Sequence, residues 1–126
     1  MNAPSSLAPC TVAVVDDDST STVLLSRILS RAGFTVIVYE SGEELLEQLA
    51  ASRPDVICLD VELPGIDGLE TLRRLKSIEP HLPVILFSAS ADAVRDEALG
   101  AGAFACVDKT GGWNELRGAI ERARGI

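Results

Sequence analysis

Five short apolar runs recur along this chain, each followed by a stretch with helical spacing, and this alternation constrains the fold more than any other feature. The runs cover residues 11–15, 34–39, 55–59, 83–87 and 103–107, with turn residues between them. Runs of this length and composition read as buried strands. In the intervening stretches, apolar residues recur three and four positions apart. Leu25, Ile28, Leu29 and Ala32 mark the first helix, Leu45, Leu46 and Leu49 the second, and Leu69, Leu72 and Leu75 the third. Leu116, Ala119, Ile120 and Ala123 mark a C-terminal one. Ser41 with Glu44 forms a capping-box pattern, Asp67 can cap the third helix, and Gly33 can end the first. The stretch at residues 91–100 is weaker, because its apolar face holds only Val94, Ala98 and either Leu99 or Ala101. The fourth helix is therefore expected to be the least firmly anchored and the easiest to shift.

Strands alternating with helices imply right-handed crossovers, a parallel sheet buried on both faces, and a three-layer α/β sandwich. The 126 residues suffice for one domain with one core. Hydrophobic residues at 47% and charged residues at 24% exclude disorder as the overall state. Nineteen acidic against 11 basic residues give a formal charge of -8, and no Lys/Arg cluster offers a footprint for a nucleic-acid backbone. No apolar run approaches the roughly 20 residues of a membrane span. The opening MNAPSSLAPC lacks the basic start and apolar centre of a secretory signal. Residues 1–9 are thus expected to be a flexible arm, residues 10–126 the domain, and the cytoplasm its location. Cys10, Cys58 and Cys106 are odd in number and widely spaced, which fits free thiols better than disulfides or a zinc site.

In an open α/β sheet, ligands bind beyond the carboxyl ends of the strands, where strand order reverses. Polar residues gather there: Asp16, Asp17 and Asp18 after the first run, Asp60 after the third, Ser88 after the fourth, and Asp108 and Lys109 after the fifth. A sheet order of 2-1-3-4-5 makes the ends of the first and third strands neighbours. Asp16, Asp17 and Asp60 then bring three negative charges against one positive charge on Lys109. A divalent cation balances the excess, and all-oxygen ligands with room for water suit Mg²⁺. A second reading of the acidic triplet is helix capping at the positive end of the dipole.

These fragments resemble a receiver domain of a bacterial two-component response regulator, from about Cys10 to the C-terminus. The acidic pair matches as Asp16 and Asp17, the phosphoacceptor as Asp60 in DVICLDVELPGIDG, the hydroxyl residue as Ser88 in PVILFSAS, and the lysine as Lys109 in ACVDKT. The resemblance implies a flavodoxin-like (βα)5 fold and phosphoryl transfer to Asp60 from a sensor histidine kinase or a histidine phosphotransfer protein. It also implies Mg²⁺ held by Asp16, Asp17, Asp60 and the backbone carbonyl of Glu62, with Lys109 neutralising developing charge and Ser88 bonding the phosphoryl group. The message would leave through the fourth helix, fifth strand and fifth helix, towards a downstream protein target or a missing output domain. Receivers also dimerise through that face. Such a domain is a signalling protein that assists its own phosphorylation and dephosphorylation, not a conventional enzyme. Glu62 and Ser90 match positions that flank the phosphoryl group and modulate its lifetime, although Glu62 also reads as a solvated loop residue.

Two positions depart from the family pattern. Cys106 stands where an aromatic switch residue is usual, and Thr110 replaces the proline after the lysine. A cis peptide without proline costs about 2.5–4 kcal/mol, so either the loop through Gly111 and Gly112 differs or another contact holds the strained form. Phe104 reads as core, with a partner contact as the alternative. Trp113 reads as an interface or as a cap on the last helix, and His81 as exposed. Arg117, Arg122 and Arg124 read as a solvated face. Rival functions are a phosphorylation-independent pseudo-receiver, a small flavin-binding electron carrier using the hydroxyl-rich Ser19–Thr22 segment, and an aspartyl-phosphate phosphatase that Glu62 only half fits. The last residue follows the fifth helix directly, which suggests either a single-domain regulator or a receiver from the N-terminal part of something longer.

Overall fold

The computed structural model describes residues 10–125; the expected arm at residues 1–9 lies outside them. Five strands, β1 (Thr11–Val15), β2 (Thr35–Tyr39), β3 (Val56–Leu59), β4 (Val84–Ser88) and β5 (Ala105–Asp108), alternate with five helices. These are α1 (Ser19–Arg31), α2 (Gly42–Ser52), α3 (Gly68–Ile78), α4 (Ala91–Gly100) and α5 (Trp113–Ala123). The strands form one parallel sheet in the order β2-β1-β3-β4-β5. This is the three-layer α/β sandwich expected from the alternation, in the flavodoxin-like form that the resemblance implies.

Side chains on successive strand residues face opposite layers. Ala13, Val15, Ile57, Leu59 and Leu86 pack with Leu45, Leu49, Leu72, Leu75 and Ala98, which places α2, α3 and α4 on one face. Val12, Val14, Val56, Cys58 and Ile85 pack with Leu29, Leu116, Ala119 and Ile120, which places α1 and α5 on the other. Full burial of one such leucine or isoleucine stabilises the fold by about 1.5–3 kcal/mol.

The expected caps form. The Ser41 hydroxyl accepts from Glu44 N at 3.0 Å and the Asp67 carboxylate from Glu70 N at 2.8 Å. Gly33 closes α1 at φ +98°, a left-handed conformation that carries no side-chain penalty in glycine. Four strands begin one or two residues later than their apolar runs. Phe34 N still bonds Leu29 O to finish α1, and Ala103 N bonds Ala98 O to finish α4, so neither residue is free for the ladder. Asp55 N donates to Thr11 O while its carboxylate accepts from Thr11 N, a clasp just below β3. Phe104, expected in the core, is 45% exposed. Its N–H is paired to Val84 O, but its ring lies beside the edge strand, between two residues that face the layers. No helix among the described residues is long and apolar enough to cross a membrane.

Candidate functional site

The β2-β1-β3 order puts the ends of β1 and β3 side by side, and the ladder runs one residue beyond each strand. Asp16 N donates to Tyr39 O, and Asp60 N donates to Val15 O, each at 3.0 Å. Both side chains emerge at the carboxyl edge yet stay buried, at 6% and 8% exposure. From the end of β5, Lys109 Nζ reaches Asp16 Oδ2 at 2.7 Å and Asp60 Oδ2 at 3.2 Å. The remaining oxygens are also bonded: Asp16 Oδ1 accepts from Asp18 N at 3.0 Å and Asp60 Oδ1 from Glu62 N at 3.3 Å. Burial pulls the Lys109 ammonium towards its neutral form, but the bond to Asp16 and the charges of Asp60 and Asp16 outweigh it and hold its pKa above the ordinary value.

The acidic triplet divides its work. Asp16 turns inward to Lys109, Asp17 stays exposed at the rim, and Asp18 caps α1. Asp18 accepts from Thr20 N at 3.0 Å and Ser21 Oγ at 3.1 Å, bonds that lower its carboxyl pKa. Charge concentration and capping are thus both present, on different residues.

The donors at the site are oxygens, without thiolate or imidazole. No three His, Cys, Asp or Glu side chains among the described residues close a metal cage. The oxygen donors of Asp16 and Asp60 are of the kind that suits a hard ion such as Mg²⁺, which keeps several waters and needs few protein ligands. Receiver domains generally bind Mg²⁺ at their phosphorylation site.

Ser88 ends β4 with no exposure, and its hydroxyl accepts from Ser90 N at 3.1 Å. Ser90 is the N-cap of α4 but makes no side-chain capping bond, and only Ala91 and Ala98 of that helix are buried. Cys106 is buried, and its thiol donates to the Ala91 carbonyl at 3.5 Å. Burial raises the Cys106 pKa, with Arg95 acting in the opposite direction. Arg95 Nη1 donates to the Cys106 carbonyl, while Arg95 Nη2 reaches Asp92 Oδ1 at 2.9 Å. Sequence reading missed this arginine, whose only visible signal is an Asp three positions earlier. Glu62 is exposed beside the site.

Every peptide bond among the described residues is trans, and the segment after β5 forms one turn of 3-10 helix, Lys109–Gly111. Asp108 Oδ1 holds that turn by accepting from Thr110 N at 2.7 Å and Thr110 Oγ1 at 2.6 Å. Gly112 then reverses the chain at φ +87°. A polar clasp thus replaces the proline, and of the two ways open to this loop the chain takes a different turn. Trp113 starts α5, packs on the α1–α5 core and, with Leu24 and Phe87, lines a cavity of about 270 Å³ that adjoins Asp16 and Lys109. His81 is exposed, as expected.

A parallel five-stranded sheet with a lysine bridging two buried aspartates at its carboxyl edge defines a phosphoacceptor-type signalling domain. The chain belongs to the response regulator receiver domain family, whose model matches residues 12–121. It is 43% identical over 113 residues to the DNA-binding transcriptional regulator NtrC of Escherichia coli K12, covering 87% of this chain and 24% of that protein. The chain therefore spans about a quarter of the length of these relatives. Among solved structures, the response regulator domain of Thermotoga maritima CheB matches with a TM-score of 0.86 and 28% identity, covering 94% of this chain and 98% of that one. A receiver domain protein from Clostridium thermocellum matches with a TM-score of 0.85 and 28% identity, covering 92% and 94%. This is a receiver domain of a two-component response regulator, and neither the flavin, the phosphatase nor the pseudo-receiver reading is favoured.

Proposed function

We propose that Asp60 accepts a phosphoryl group from a phosphohistidine on a sensor histidine kinase or histidine phosphotransfer protein. The observation that carries this reading is the Lys109 ammonium bridging Asp16 and Asp60 across three strand ends. An Asp60 oxygen attacks phosphorus as the P–N bond breaks, and the bond's electron pair returns to the imidazole. Asp16, Asp17, Asp60 and the Glu62 backbone carbonyl would hold Mg²⁺, and the ion would supply positive charge against the phosphoryl oxygens. Lys109 stabilises the negative charge that the transfer places on Asp60. Ser88 donates a hydroxyl hydrogen bond to the new phosphate, and the side-chain rotation that aims it there draws its oxygen away from Ser90 N, so the N-terminus of α4 loses a tie. Glu62 and Ser90 flank the phosphoryl group and set its lifetime, and Cys106 couples β5 to α4.

The α4–β5–α5 face carries the signal to a protein target, to an output domain in a longer chain, or to a second copy of the domain. The receiver covers residues 10–126, and the protein works in the cytoplasm. The deciding experiment is intact mass after incubation with phosphoramidate, with and without Mg²⁺, on the wild type and Asp60→Asn. One added phosphoryl group requiring both Mg²⁺ and Asp60 is expected. Equal phosphorylation of Asp60→Asn would sink the assignment.

A further inference from the structure

The loop from Asp60 to Asp67 joins β3 to α3 and is tied at both ends. Near β3, Glu62 N donates to Asp60 Oδ1 at 3.3 Å and Gly68 N donates to Val61 O at 2.8 Å. The outer end is held from a different element. Glu43, in the first turn of α2, accepts from Ile66 N at 3.0 Å, across 23 positions of sequence. The same carboxylate lies against Gly65, where a Cβ would stand 2.3 Å from Glu43 Oε2. Gly65 has φ +72°, so glycine there serves both the left-handed turn and the approach of the carboxylate.

Three features make this contact more than an ordinary surface bond. It is charge-assisted, with a carboxylate accepting from a backbone N–H, which is about twice as strong as a neutral pair. The Ile66 bond is the leading cause of a lowered Glu43 pKa, so the charged form is the one that grips. The helix end that carries it is itself fixed, because Ser41 caps it and Glu44 Oε1 accepts from Glu40 N at 2.8 Å. Adding a Cβ at Gly42 would bring it within 2.0 Å of Thr71 Oγ1, so α2 and α3 also meet closely here.

We infer that Glu43 is a positioning residue for the phosphorylation site, holding the Asp60–Asp67 loop so that the Glu62 backbone stays over Asp60. The inference rests on the proposed role of the Glu62 carbonyl as an Mg²⁺ ligand. Glu43 touches neither the phosphoryl group nor the ion. It limits the positions that the Glu62 carbonyl can take, and metal affinity depends on ligands held by such outer contacts.

The test measures Mg²⁺ affinity by calorimetry, and phosphoramidate phosphorylation across an Mg²⁺ series, for the wild type, Glu43→Ala and Glu43→Gln. Glu43→Ala is expected to need about tenfold more Mg²⁺ for half-saturation in both assays, with little change in maximal rate. Glu43→Gln keeps an oxygen for Ile66 N and is expected to recover most of the affinity. A purely stabilising role would lower the melting temperature and leave the Mg²⁺ midpoint in place. Superimposable Mg²⁺ curves for the wild type and Glu43→Ala, with Asp60 phosphorylated in both, overturn the inference alone. Absence of Mg²⁺-dependent phosphorylation in the wild type overturns the reading of Asp60 and this inference with it.

Discussion

At Gly68 there is no room for a side chain. An added Cβ would sit 2.2 Å from the Asp60 carbonyl oxygen and 2.7 Å from Val61 Cα, both backbone atoms at the end of β3. Gly68→Ala must therefore push the strand end that carries the proposed phosphoacceptor. Overpacking of this kind costs about 1–3 kcal/mol. The expected result is a lower urea midpoint together with slower phosphorylation than in a core variant of equal stability loss; an unchanged midpoint would contradict the geometry. The cysteines make a second case. All three are buried, and burial raises the Cys58 thiol pKa to about 12. Thiolate is the reactive form, so the folded chain is expected to give no rapid reaction with a thiol-specific reagent at pH 8. After denaturation all three thiols should label. Rapid labelling of Cys58 in the folded protein would show that β3 opens far more readily than its packing implies.

In α4 only two small residues, Ala91 and Ala98, are buried, and Arg95 adds a polar tie from this helix to β5. Its guanidinium spans Asp92 on the helix and the Cys106 carbonyl on β5, beside the thiol bond from Cys106 to Ala91 O. The Arg73–Glu97 pair to α3 has both side chains about half exposed and contributes little. Arg95→Ala is expected to speed amide exchange along α4 by about tenfold, equivalent to about 1.4 kcal/mol, while β1 and β3 keep their protection. Uniform acceleration through the whole chain would mean that Arg95 supports the global fold instead. The small apolar face of α4 could be read from its spacing, with Val94, Ala98 and, of the two alternatives, Ala101 rather than the exposed Leu99 turned to the core, whereas the Arg95 tie could not. Arg95 and Cys106, like Glu43 and Ile66, meet only because separate elements pack together, and no periodicity records such a contact. Asp16 and Asp60 were legible because strand alternation predicts a sheet, and the sheet's order reversal brings their strand ends together. Strand starts were less legible, since the run at 103–107 includes Ala103, which ends a helix, and Phe104, which lies outside the core. The lost proline was visible as Thr110, but its replacement depended on Asp108 reaching two hydrogen-bond donors at once.

Across the whole molecule, a chain of formal charge -8 concentrates two buried carboxylates at one point and sets a single lysine between them. Lys109 therefore acts as a built-in counter-ion. Its replacement by methionine leaves Asp16 and Asp60 facing each other without compensation, a change that costs about 2 kcal/mol because the lysine is only partly buried. The pH dependence follows from the sign of the shift. The folded pKa of Lys109 is raised, so its stabilisation is fully present below the unfolded value of about 10.4 and is lost as pH climbs through the folded value. The stability gap between wild type and Lys109→Met should stay constant through neutral pH and narrow only above about pH 10.4. Mg²⁺ provides the complementary measurement. A ligand at 100 times its Kd stabilises a fold by about 2.7 kcal/mol, and a cation meets less positive charge at this site once the lysine is gone. In thermal melts at neutral pH, Mg²⁺ is expected to raise the midpoint of Lys109→Met more than that of the wild type, with no such difference for Na⁺ at equal ionic strength. Equal Mg²⁺ shifts in the two proteins would show that the lysine and the metal do not share one electrostatic site.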